Sequence, residues 1–331
     1  MIRGLPIKDH WSEQRLFVTR SIAAALIATA LLLFVVGRLV VLQVLNHEHF
    51  VDLSHGNRVR IEPVQPTRGL IFDRNGELLA ENLPAYQLEL VLEQVPDLDD
   101  TLARLTADGL LRPEDDERVR RLIASKRRFD AVPLRYRLAE EEVARFSVHR
   151  QDFPGVDIRA RLARHYPLGA TAVHAIGYVA SISPEDLKRL DPAAYSGTTH
   201  VGKVGIEKAY EDRLHGAAGH QQVLVNAQGR ALQVTQGAAP LPGADLFLTL
   251  DVSMQIAAEQ ALGDRRGAVV AIDPANGDIL VLASAPGYDP NPFGEGLSSA
   301  EYRALSTDRN KPLFNRALRG NYPPGSTIKP M

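Results

Sequence analysis

Hydrophobic and polar positions follow several different textures along this chain. From Ser21 to Gly37, "SIAAALIATALLLFVVG" carries no charge, and after Arg38 the apolar run continues as "LVVLQVL" to Leu45. Seventeen charge-free residues span roughly 26 Å as a helix, and the extension brings this to about 38 Å, enough to cross a bilayer. A core helix is rarely apolar on every face for this long. A cleavable signal peptide would have a shorter apolar region and an A-x-A-like site after it, and neither is present. The pattern therefore predicts an uncleaved membrane anchor, with Arg38 able to snorkel to an interface. Arg3, Lys8, Arg15 and Arg20 precede the span, whereas only Arg58 and Arg60 follow soon after it. This bias predicts a cytoplasmic N-terminus and a chain body on the far side of the membrane.

Past the anchor, "NRVRIEPVQPTRGLIFDRNGELLAENLPAYQLELVLEQ" reads as β structure. Its "GLIFDRNGELLA" predicts a hairpin with a two-residue turn at Asn75-Gly76. Residues 98–149 change period. "DDTLARLTADGLL", "RPEDDERVRRLIASKRRF" and "LAEEEVARFSVHR" place apolar residues at three- and four-residue spacing among dense charges, so they predict short amphipathic helices with solvated charged faces. From 150 to 240 the texture is mixed. "HAIGYVASIS" predicts a strand and turn, "GIEKAYEDRLHG" a helix stopped by glycine, and "HQQVLVNAQGRALQVTQ" a hairpin. "GAAPLPGAD" (237–245) has linker composition, and beyond it "DLFLTLD" reads as a strand, "VSMQIAAEQAL" as a helix, and "GAVVAIDPANGDILVLAS" as two strands about Asn276-Gly277. A domain boundary is expected near 241.

Composition narrows the chemistry. At 331 residues the chain has room for two domains, and its net charge of −2 gives no reason to expect a nucleic-acid partner. It has no cysteine, which removes thiol catalysis, disulfides and thiolate metal sites. His47-Glu48-His49, just past the apolar run, reads as interfacial polar residues rather than metal ligands. Arg164, Tyr166, His174 and Tyr178 form a polar, aromatic run that reads as packing rather than as a glycan site. No metal or organic cofactor is expected.

The candidate chemistry lies at "NYPPGSTIKPM" (321–331). Pro323, Pro324 and Gly325 force an extended approach, and a helix opening at Ser326 would put Lys329 one turn along on the same face. A lysine kept neutral by burial can take the proton from the serine hydroxyl, and the helix N-terminus can stabilise a developing oxyanion. Fourteen serines and seven lysines give about 0.3 chance Ser-x-x-Lys pairs in a chain of this length, so the spacing alone is weakly specific.

Its context is more specific. "NRALRGNYPPGSTIKP" closely resembles the active-site entry of penicillin-binding proteins, where S-x-x-K carries nucleophile and base. "PTRGLIFDRNGELLAENLPAYQLEL", "RHYPLGATAVHAIGYV", "GKVGIEKAYEDRLHG", "GADLFLTLDVSMQIAAEQAL" and "GAVVAIDPANGDILVLASAPGYDPNPF" resemble successive stretches of the class B branch, in order, so the resemblance covers about residues 20–331. "VPLRYRL", "PLFNRAL" and "YPPGSTIKP" most resemble the penicillin-binding protein 2 group, the elongation transpeptidases. Division-type homologues usually carry an acidic residue where this chain has Pro324.

The resemblance implies a single N-terminal transmembrane helix, an elongated mixed α+β pedestal and the beginning of an α/β serine transpeptidase domain. The implied division is a cytoplasmic tail 1–20, an anchor 21–45, a periplasmic dimerisation-type pedestal 46–240 and an incomplete transpeptidase domain 241–331, held in the inner membrane by one span. It implies peptidoglycan stem peptides as substrates, β-lactams as inhibitors, Ser326 as nucleophile and Lys329 as base. Partners would be a SEDS-type glycan polymerase and other membrane proteins of the elongation complex. The family's further motifs, Ser-x-Asn and Lys-Thr-Gly, do not occur here, and "KVG" at Lys203 falls in the pedestal. The 331 residues are therefore expected to be an inactive portion of such an enzyme, with residues 241–331 marginal alone. The alternative is a non-catalytic membrane-anchored module that binds and activates the polymerase.

Overall fold

The computed structural model describes residues 10–45, 59–125, 128–225, 231–235 and 237–323. His47, Glu48, His49, Ser326 and Lys329 lie outside the described residues. The chain divides into two compact units, one of residues 1–60 and 223–234 and the other of 61–222 and 235–331.

In the first unit a helix runs from His10 to Val40 and continues as a wider turn over Val41–Leu45. Gln14–Val44 holds an 18-residue window with a mean hydropathy of 2.6, none of it buried, so the helix is long and apolar enough to cross a membrane. Helical structure thus begins well before the first residue of the charge-free run, through Gln14, Arg15 and Arg20, because a helix does not need apolar residues to continue.

The strands, in chain order, are β1 (Val59–Val64), β2 (Ile71–Phe72), β3 (Leu78–Val91), β4 (Ala131–Leu138), β5 (Val156–His165) and β6 (Val179–Ser181). They continue with β7 (His200–Gly202), β8 (Gly219–Val225), β9 (Ala231–Thr235), β10 (Leu246–Phe247), β11 (Gly267–Ile272) and β12 (Ile279–Ala285). β8 and β9 are neighbours in one sheet, as the hairpin reading expected.

The second unit is organised by β3, fourteen residues long. It pairs antiparallel with β5 over ten residues, from Glu81↔His165 to Leu90↔Val156. Its other edge pairs with β2 at one end and β4 at the other. The expected hairpin at Asn75-Gly76 is present, but its loop is longer than two residues. The Asp73 amide donates to the Glu77 carbonyl at 2.9 Å, which leaves Arg74, Asn75 and Gly76 at the tip. Gly76 takes φ +88°, the left-handed conformation that closes a type I turn with a bulge. The Asp73 carboxylate completes the loop by accepting the amides of Asn75 at 2.7 Å and Glu77 at 2.8 Å.

The three expected amphipathic helices form over Leu98–Ala107, Asp116–Ser125 and Glu140–His149. Asp97 caps the first by accepting the amides of Asp99 and Asp100. Their apolar stripes, through Leu102, Leu105, Val119, Ile123 and Phe146, close over Leu88 and Leu90 of β3 and Val132 and Leu134 of β4 as one core. β4 lies between the second and third of these helices, in a stretch the sequence reading assigned to neither. Its alternation of Val132, Leu134 and Tyr136 is short and has Pro133 within it, and pairing with β3 is what makes it a strand. "GIEKAYEDRLHG" likewise forms two short helices, Gly205–Ala209 and Glu211–His215, rather than one.

A second core gathers Ile71, Leu79, Tyr166, Ile176, Leu214 and Leu246. β10 enters it by pairing in parallel with β2, Leu246 opposite Ile71, so residues past 241 share a sheet with the hairpin strand. The helix Val252–Leu262 and the antiparallel pair β11–β12 follow. A third cluster joins Val173 to Tyr288 and Phe293.

Candidate functional site

The predicted nucleophile and base follow directly on Asn321–Pro323, the last described residues, so the described site is the scaffold that leads to them. "NRALRG" forms a one-turn helix, Arg316–Arg319. Asn315 caps it by accepting the Leu318 amide at 3.1 Å, while its own amide group donates to the His174 carbonyl at 3.0 Å. Arg316 is buried and its guanidinium donates to the carbonyls of Lys311 at 3.1 Å, Phe314 at 3.3 Å and Asn310. The backbone amide of Arg316 donates to Ser284 Oγ on β12 at 2.9 Å. One side chain therefore gathers the loop before the turn, and its backbone ties that turn to the sheet. Sequence reasoning passed over Asn315 and Arg316. The signal was an Asn at an N-cap position followed by an apolar-flanked Arg.

Behind this lies a buried ionic cluster that joins the three upstream stretches. Arg68 of "PTRGL" donates through Nε to Glu207 Oε2 at 2.8 Å, and through Nη2 to Glu211 Oε2 at 2.6 Å. Arg164 of "RHYPLG" donates through Nε to Glu207 Oε1 at 2.7 Å and through Nη1 to the Gly69 carbonyl at 2.8 Å. Glu207 of "GKVGIEKAYE" is fully buried between the two guanidinium groups. The Tyr166 hydroxyl donates to Glu207 Oε1 at 3.3 Å and accepts the Val179 amide at 3.0 Å. Glu211 also accepts from Tyr195 Oη at 3.1 Å and from the Gly202 amide at 2.9 Å.

Burial pushes against every charge here, and the pairing decides the outcome. Burial would lower the Arg68 pKa, but Glu207 and Glu211 outweigh it and hold the guanidinium charged. Burial would raise Glu211, but its hydrogen bonds and attraction to Arg68 hold it below the usual carboxylate range. Burial next to Glu207 pushes the Tyr166 hydroxyl well up, so it stays a neutral donor. Arg164 and Tyr166 thus serve packing, as read from the sequence. So do His174, edge-on to Tyr288, and Tyr178, stacked on Phe293 at 4.0 Å.

The cluster is coupled to the segment that follows β12. Asn291 accepts the Tyr166 amide at 2.9 Å and donates to the Tyr166 carbonyl at 3.1 Å. His200 Nε2 lies 3.0 Å from the Gly294 carbonyl, and Arg137 Nη1 donates to Glu295 at 2.6 Å. Asp73 makes a parallel link: its Oδ2 accepts the Val252 amide at 3.1 Å, at the start of the helix Val252–Leu262. Burial would raise Asp73, but its backbone hydrogen bonds hold it lower. Among the described residues no group of three or more His, Cys, Asp or Glu is placed to hold a metal ion.

Comparison with known proteins accounts for this arrangement. Residues 63–248 match the penicillin-binding protein dimerisation domain, and residues 267–331 match the penicillin-binding protein transpeptidase domain. The chain is 40% identical over 331 residues to the peptidoglycan D,D-transpeptidase MrdA of Acinetobacter baumannii, covering 100% of this chain and 49% of that protein. It is 41% identical to MrdA of Escherichia coli K12, covering 98% of this chain and 52% of that protein. The chain thus spans about half the length of the curated relatives it matches. Penicillin-binding protein 2 in a complex with MreC from Helicobacter pylori superposes with a TM-score of 0.65 at 29% identity, over 78% of this chain and 49% of that one. Pseudomonas aeruginosa penicillin-binding protein 2, in complex with WCK 5153, gives 0.53 at 35% identity, over 82% of this chain and 40% of that one. With the arginine and glutamate stretches in family order and brought to one buried cluster, the chain belongs to the penicillin-binding protein family.

Proposed function

We propose that this chain carries the membrane anchor, the pedestal and the nucleophile-bearing segment of a peptidoglycan D,D-transpeptidase that acts in cell elongation. Ser326 attacks the carbonyl of the D-Ala–D-Ala bond in a stem peptide while Lys329 takes the hydroxyl proton. The terminal D-Ala leaves with a proton, and the resulting serine ester is transferred to an amine of a neighbouring stem. A β-lactam would acylate the same oxygen. The observation that carries this reading is that Ser326-Thr-Ile-Lys329 falls inside the residues that match the transpeptidase domain, in a chain 40% identical to MrdA throughout.

In the same reading residues 21–45 cross the inner membrane, residues 1–20 remain cytoplasmic, and residues 46–240 stand as a periplasmic pedestal below a transpeptidase domain that starts near 241. The charge bias across the apolar run and the hydropathy of Gln14–Val44 support this topology.

The test is covalent labelling with a fluorescent penicillin of this chain, of its Ser326→Ala variant, and of a version that continues through the family's remaining motifs. Labelling of the extended wild type alone supports Ser326 as nucleophile within a site that needs those motifs. Labelling of the alanine variant would remove Ser326 from that role.

A second role is favoured by the similarity to a penicillin-binding protein 2 structure in complex with MreC. The anchor and pedestal would bind elongation-complex membrane proteins, MreC-like and SEDS-type, without any catalytic step. Co-purification of this chain with such a partner from detergent tests it, and loss of binding on removing residues 46–240 is the expected result.

A further inference from the structure

A cavity of about 250 Å³ opens in the second unit beside β3 and β5; the interactions described above hold Arg68, Arg164 and His200 of its lining but do not involve Gln87 or Arg161. Gln87 of β3 forms part of its wall. This residue is only 6% exposed, yet its amide group has no hydrogen-bond partner among the described residues. The amide faces the cavity, where a ligand can make the hydrogen bonds that water otherwise makes.

The charged residues that line the cavity are Arg68, Arg161 and Arg164, and no carboxylate lines it. Arg161 donates its Nε to Glu89 at 2.8 Å, and its two terminal nitrogens have no hydrogen-bond partner among the described residues. Arg164 is 2% exposed and is held by Glu207 and the Gly69 carbonyl, so it lends the wall positive character without offering a donor to a ligand. The open groups are thus dominated by donors of positive character, together with one amide that can both donate and accept. Ala85, Val64 and Pro66 add an apolar side. The volume lies just below the range of drug-sized sites, which calls for a small ligand.

We propose that this cavity binds a small molecule with a secondary amide and a carboxylate, of the class of an N-acyl amino acid. Its carboxylate meets the terminal nitrogens of Arg161, its amide pairs with Gln87, and a short apolar side chain rests against Ala85 and Pro66.

The experiment titrates the detergent-solubilised chain with three probes, followed by ligand-observed NMR: N-acetylalanine, acetate, and N-acetylalanine amide. N-acetylalanine is expected to bind about tenfold tighter than either of the others, since each lacks one of the two recognised groups. Gln87→Leu should reduce N-acetylalanine to the level of acetate, and Arg161→Gln should weaken both acids. Gln87→Glu, which keeps the shape and adds a negative charge, should abolish binding of both. Circular dichroism establishes that each variant is folded. If Gln87→Leu is not, the Arg161→Gln and Gln87→Glu variants decide the matter. Equal affinity for acetate and N-acetylalanine, or binding unchanged by these substitutions, overturns the proposal.

Discussion

Arg68 and Glu207 are 139 residues apart in the chain, yet Arg68 Nε donates to Glu207 Oε2 at 2.8 Å. Arg164 Nε meets the other oxygen of the same carboxylate at 2.7 Å. Glu207 is therefore shared by two buried cations. Glu207→Ala should leave both without their common partner and destabilise the second unit by about 3–5 kcal/mol, the range for breaking a buried pair from one side. Urea unfolding of the detergent-solubilised chain measures this. A loss below about 1 kcal/mol would show that water reaches the cluster and screens it.

His200 offers a pH signature. Its Nε2 faces the Gly294 carbonyl and so carries the proton, which makes Nδ1 the acceptor for Thr199 Oγ at 2.8 Å. Burial holds its pKa at about 4, below the ordinary 6.5. The unfolded chain therefore takes up a proton first as pH falls, and stability should drop between pH 6.5 and 4 by at most about 3 kcal/mol. His200→Gln should flatten that slope in a thermal-unfolding series.

Asp186 acts in a lower window. Burial would raise its pKa, but hydrogen bonds from Lys203 and Ser183 hold it at about 2, below the ordinary 3.8. The stability it contributes is present above pH 3.8 and is lost as pH falls toward 2. Asp186→Asn should make this second slope shallower, leaving the part owed to Asp73 and Glu211, and should leave that of His200 unchanged.

Arg316 should be the most sensitive residue near the predicted nucleophile. Arg316→Ala leaves the carbonyls of Asn310, Lys311 and Phe314 without their donor, at about 1–3 kcal/mol for each that water cannot reach. Hydrogen exchange should show lost protection over residues 308–319, with β3 unchanged. Equal loss in both would mean that Arg316 supports the whole unit.

Gln255 takes the place of a strand neighbour. It is fully buried on the helix Val252–Leu262, where its Oε1 accepts the Leu282 amide at 2.9 Å and its Nε2 donates to the Leu282 carbonyl at 3.2 Å. Gln255→Leu should orphan both β12 groups and cost about 2–4 kcal/mol, whereas Gln255→Glu should keep the amide's acceptor and lose the carbonyl's donor. Differential scanning calorimetry should place wild type above Glu and Glu above Leu.

What the sequence determined by itself was local. The charge-free run, the turn at Gly76, the helical stripes through Leu102, Val119 and Phe146, and the order of family stretches all depend on residues close together in the chain. Three- and four-residue periodicity, turn chemistry and apolar length are legible at that range. Tertiary structure decided the rest. Pro133 made β4 a poor strand until β3 supplied a partner. Nothing in "VSMQIAAEQAL" marks Gln255 as buried, and only the packing of the helix against β12 set it on Leu282. Gln87 stands in an ordinary strand pattern, and only the meeting of β3 with Arg161 and Arg164 gave it a cavity to face. Arg164 read as packing, and nothing in the sequence set Arg68, Glu207 and Glu211 apart from other charged residues. Their burial becomes tolerable only in one another's company, because the free energy of a buried charge depends on partners that the chain brings from far away.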